Sequence, residues 1–121
     1  MRAFFQTLLL SLLLPAGVAR AASVVWSPPT EREDGTAFSP TEVEFYELCA
    51  SPEPSPPCTD SPRVFETLNT VAAVESLDLP SGTWYFTVRV KDIHGLYSDW
   101  AEPVSYQIFA RPAKPVIQLQ P

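Results

Sequence analysis

The stretch Leu77-Asp78-Leu79-Pro80-Ser81-Gly82-Thr83-Trp84-Tyr85-Phe86-Thr87-Val88-Arg89-Val90 decides how this chain is read. From Thr83 onward it alternates with period two. Trp84, Phe86, Val88 and Val90 fall on one face, and Tyr85, Thr87, Arg89 and Lys91 on the other. Successive side chains of a strand point to opposite sides of its sheet, so the pattern predicts a strand with one buried face. Pro80-Ser81-Gly82 marks its beginning, and Asp92-Ile93-His94-Gly95 is the turn that ends it.

Shorter segments of the same kind lie on both sides. Ser23-Val24-Val25-Trp26 is β-prone and is stopped by Pro28-Pro29. Thr41 to Leu48 places Val43, Phe45 and Glu47 in one phase and Glu44, Tyr46 and Leu48 in the other. Pro40 and the β-branched and aromatic content favour a strand over a helix there. Arg63 to Thr67 forms a short strand, Asn69-Thr70 a turn, and Val104 to Phe109 the last strand. Ala110 to Pro121 carries Pro112, Pro115 and Pro121 and reads as a tail, although Val116-Ile117-Gln118-Leu119 within it can pair as a strand. Short strands between Pro- and Gly-marked turns, with no helical period, predict an all-β antiparallel sandwich.

Composition narrows the setting. The chain has 121 residues with 14 Pro, 4 Gly and 2 Cys, which suits one domain, expected over residues 22–109. Lys and Arg number 8 against 14 acidic residues, a formal charge of −6, which argues against nucleic acid or an anionic membrane as partner. Arg2, the apolar run Leu8 to Leu14 and Ala19-Arg20-Ala21 have the form of a signal peptide over residues 1–21. Its removal leaves 6 basic residues against 14 acidic ones, a charge of −8, and no further membrane span. The product is expected to be secreted or periplasmic.

An oxidising compartment makes a Cys49–Cys58 disulfide the leading reading of the two cysteines. Two sulfurs without a neighbouring His make a poor zinc site, and redox catalysis uses a tighter spacing. The bracketed loop holds Pro52, Pro54, Pro56 and Pro57, which exclude helix and predict a stiff, extended segment. His94 is the sole histidine and sits in a turn, with no motif to orient a serine or carboxylate beside it. Glu31, Glu33 and Asp34 crowd one loop without calcium-loop spacing, so a solvated acidic face is preferred to a weak calcium site. No catalytic residue, metal ligand or cofactor is assigned.

Taken in order, Val25-Trp26-Ser27-Pro28-Pro29 with Asp34-Gly35-Thr36, then Phe45-Tyr46-Glu47-Leu48, then the stretch quoted first with Asp92, Gly95 and Ser98, resemble a fibronectin type III domain. The resemblance covers roughly residues 24–108 and implies an immunoglobulin-like sandwich in which Trp26, Trp84, Phe86 and Val88 are core residues. Two departures stand out. Where the family has a tyrosine that ties the penultimate strand to the preceding loop, this chain has Trp84, whose indole N–H is the preferred substitute donor, the alternative being a local irregularity that lets Tyr85 make the tie. Cleavage after Ala21 also leaves almost nothing ahead of Trp26, so the first strand is short or missing and a sheet edge is exposed.

Tyr97-Ser98-Asp99-Trp100 is similar, in shortened form, to the tryptophan–serine signature of cytokine-receptor modules in this superfamily. It implies a ladder in which Arg89 and Lys91 stack on Tyr97 and Trp100, with Arg89 over Trp100 the expected contact. Tyr46 and Tyr85 are further candidates for outward aromatics. The function expected from the resemblance is a non-enzymatic binding or structural module that contacts a protein or polysaccharide. One alternative is an assembly subunit whose sheet edge or C-terminal tail pairs with another chain. Another is an accessory domain of a hydrolase.

Overall fold

The computed structural model describes residues 22–121, so the leader reading lies outside the described residues. The fold is all-β. Its strands are β1 (Ser23–Val25), β2 (Val43–Ser51), β3 (Arg63–Thr67), β4 (Val71–Ala73), β5 (Gly82–Asp92) and β6 (Val104–Ile108), with short 3-10 turns at Pro40–Glu42 and Val74–Leu77. They form two antiparallel sheets: β1 with β4, and a four-stranded sheet in the order β3-β2-β5-β6. The quoted stretch is the long central strand β5, which runs two residues beyond the expected Val90. The chain does not continue as a strand beyond β4. It turns after Ala73 into a 3-10 turn that buries Val74 and Leu77 and ends at Asp78 in the left-handed region.

Alternation sets which side chains go inside. In the register of β2 with β5, Tyr46 lies opposite Val90, Leu48 opposite Val88 and Ala50 opposite Phe86, so these six share a face. Leu48, Ala50, Trp84 and Phe86 pack with Val74 and Leu77, and Val24 and Ala72 of the small sheet close over them. A second cluster joins Phe38, Tyr46 and Val90, with Val88 partly buried beside it. Trp26 touches both clusters and meets the Tyr46 ring edge-on at 5.7 Å. Tyr46 is therefore a core residue at 4 % exposure and not the outward aromatic expected of it, because it shares the phase of Leu48. Trp26 Nε1 is the one buried side-chain polar atom without a partner among the described residues.

Trp84 is buried, and its Nε1 donates to Pro80 O at 2.9 Å, tying the start of β5 to the loop before it. Cys49 and Cys58 form a disulfide with a Cα–Cα distance of 5.7 Å. It folds the Pro-rich loop back toward β2, where Ser51 Oγ donates to Glu53 O at 2.8 Å.

The two layers are unequal. Tyr106 lies opposite Trp84, Val104 opposite Phe86 and Ile108 opposite Gly82, so β6 presents these three side chains on the inward face. Yet Val104 is 66 % and Tyr106 43 % exposed, since the two-stranded sheet does not extend over β6. The segment after Ile108 forms no strand, and its apolar side chains are exposed.

Candidate functional site

The outer face of the four-stranded sheet is built from the other phase of the same strands. Phe45 pairs with Lys91 and Glu47 with Arg89 across β2 and β5. Beyond the Asp92–Gly95 turn the chain returns along the edge of β5. Ser98 N donates to Val90 O at 2.9 Å and Ala101 N to Val88 O at 3.0 Å, while Ser98 Oγ accepts from Val90 N. Inward-facing backbone bonds at Ser98 and Ala101 leave the rings of Tyr97 and Trp100 free to lie over β5.

Arg89 sits between them, its guanidinium carbon 4.1 Å from the Tyr97 centroid and 4.5 Å from that of Trp100. Its Nε donates to Glu47 Oε1 at 2.7 Å. Lys91 extends the ladder, with Nζ 5.3 Å from the Phe45 ring, 5.6 Å from Tyr97 and 3.6 Å from Glu44. Each such stack contributes about 0.5–1 kcal/mol at an exposed site, and the planar guanidinium is suited to lying between two rings. The sequence-expected residues Arg89, Lys91, Tyr97 and Trp100 thus form one connected group. Tyr85 is on the same face but lies opposite Ser51, nearer the disulfide loop.

A second group joins residues far apart in the chain. Arg32 donates from Nη1 to Asp92 Oδ2 at 2.8 Å and from Nη2 to Glu42 Oε1 at 2.7 Å, while its guanidinium lies 5.0 Å from the Phe38 centroid. Asp92 is buried and also accepts N–H bonds from His94 and Leu96. The Leu96 amide and then Arg32 hold its carboxyl below the ordinary carboxylate range. Arg32, followed by the Ser39 amide, lowers Glu42 in the same way, and the Thr36 amide and hydroxyl lower Asp34. Burial pushes the Tyr46 phenol up. Opposite charges 60 residues apart carry no local signal, which is why the sequence did not pair Arg32 with Asp92.

The two groups meet at Tyr97. An open hollow of about 430 Å³ lies between the loop around Arg32 and the turn after β5, lined by Pro29, Arg32, Phe38, Val90, Leu96 and Tyr97 among others. Glu31, Glu33 and Asp34 add negative charge to its walls. His94 is exposed in the adjoining turn. Among the described residues, no group of three or more His, Cys, Asp or Glu is placed to hold a metal ion, and no helix is long and apolar enough to cross a membrane.

The arrangement defines an all-β, disulfide-bonded domain with a prearranged aromatic and charged face beside an apolar-lined hollow. No protein-family model, curated protein or solved structure matches the chain.

Proposed function

We propose that the chain is a secreted, fibronectin type III-like domain acting as a non-enzymatic module that binds another protein. In this reading β1, β2, β5 and β6 take the places of the second, third, penultimate and last strands. The third, penultimate and last then share one sheet and the second lies in the other, as in immunoglobulin-like sandwiches. The disulfide fits an oxidising compartment.

One observation carries the binding role: Tyr97 belongs both to the Arg89 ladder and to the hollow lined by Phe38 and Leu96. Aromatic and Arg side chains already fixed by their neighbours lose little conformational freedom when a partner docks. A hollow with apolar and acidic lining residues suits an apolar side chain flanked by basic ones. The test is capture of partners from the envelope or culture fraction of the producing cell. Mature wild-type chain is compared with a Tyr97→Ser/Leu96→Ser variant, and both are also applied to a glycan array. A protein partner retained by wild type and lost by the variant supports the reading. Equal capture by both proteins, or binding confined to glycans, refutes it.

A further inference from the structure

The inward side of β6 is uncovered, β1 has an open side, and a cleft lies where the end of β6 meets Ala22, just ahead of β1. Val74 N donates to Ala22 O at 2.9 Å and Trp26 N to Thr70 O at 3.0 Å, so Ala22, Val24 and Trp26 turn their backbone groups toward β4. Ser23 and Val25, between them, turn theirs to the side where no strand pairs among the described residues. This cleft, about 290 Å³, is walled by Ala22, Val74, Leu79, Tyr106, Ile108 and Phe109, with Glu75 and Asp78 adding negative charge. Its occupant should be an extended segment with alternating apolar side chains and a net positive charge.

One segment of this chain has both properties. Val116, Ile117 and Leu119 are 86 %, 91 % and 93 % exposed, and Ile117 and Leu119 share one face of an extended strand. Residues 110–121 carry Arg111 and Lys114 and no acid, whereas residues 22–109 carry 14 acidic residues against 4 basic ones. Pro112 and Pro115 stiffen the spacer, and six residues of extended Pro-rich chain reach about 19 Å. Such a spacer gives Val116 to Leu119 the reach to meet another molecule.

We propose that residues 116–119 of one copy add as a strand to the β1 edge of a second copy, burying Ile117 and Leu119 against Val104, Tyr106 and Ile108. Backbone bonds to Ser23 and Val25 set the register, and Arg111 and Lys114 approach Glu75 and Asp78. The contact is head-to-tail, so one molecule donates to the next unless two exchange tails reciprocally. It is separate from the binding face proposed above. The variants that test it leave Tyr97 and Leu96 unchanged, so either proposal can fail alone.

Sedimentation velocity of the mature chain, from micromolar to hundreds of micromolar, tests it. Wild type should self-associate. Ile117→Asp/Leu119→Asp, which removes the donor, and Val25→Pro, which removes the open-side N–H but no bond to β4, should each weaken association at least about tenfold. An equimolar mixture of the two variants should form a dimer that grows no further, since one supplies only the tail and the other only the edge. If Val25→Pro does not fold, Val104→Lys on the exposed inward side of β6 takes its place. A wild-type chain that stays monomeric throughout, or association that both variants leave undiminished, overturns the proposal.

Discussion

Arg89 and Arg32 do similar work near the end of β5, each holding a carboxylate and lying against an aromatic ring. Replacing Arg89 by Lys keeps the charge but loses the flat group that lies between Tyr97 and Trp100. The substitution should lower stability by about 1 kcal/mol in urea unfolding. Asp92 and Glu42 have folded pKa values below their unfolded ones, so their contribution is complete above roughly pH 4–5 and fades as pH falls through the lowered values. Melting temperature should therefore hold steady near neutrality and drop on acidification. Asp92→Asn should melt lower at pH 7 and show a shallower acid limb. Phe86 is 3 % exposed in the core, and Phe86→Ala should cost about 3–5 kcal/mol.

The strands differ in how openly the sequence displays them. β5 is readable because alternation persists through Trp84, Phe86, Val88 and Val90, and because Gly82 and Gly95, both at positive φ, punctuate its ends. The inward phase of β2 is harder to see, since Phe45 is as apolar as Tyr46 and Leu48, and an irregularity between Val43 and Phe45 packs Val43 against the core as well. Only the pairing with β5 decides between them. β4 ends after three residues because Val74 and Leu77 reach the core from a 3-10 turn, a tertiary choice that an apolar run does not reveal. The Arg89 ladder was legible as outward alternation next to an aromatic loop. The Arg32 trio was not, since its members come from a loop, a 3-10 turn and a strand end. At this scale the Cys49–Cys58 bond closes a loop of ten residues. Replacing both cysteines by Ser should cost about 2–3 kcal/mol in chemical unfolding, with the reduced wild type behaving alike.

At the level of the molecule, four strands face two. β2 and β5 have a paired neighbour on each side, whereas among the described residues β1 and β4 have only each other. Amide protons should therefore be lost to solvent unevenly. Those of Leu48 and Val88 should exchange only in the rarest, global openings, and those of Ser23 and Val25 without any opening at all. Hydrogen–deuterium exchange read by mass spectrometry checks this order, and protection at Ser23 and Val25 that rises with protein concentration would mark a cover supplied from outside. The thin layer also gives the molecule a direction of weakness. A load applied through β1 bears first on a three-residue ladder, while one applied along β5 bears on strands braced from both sides. A chain held in an envelope or a filament under tension would yield first at β1, with the Tyr97 face and the sheet that supports it still intact.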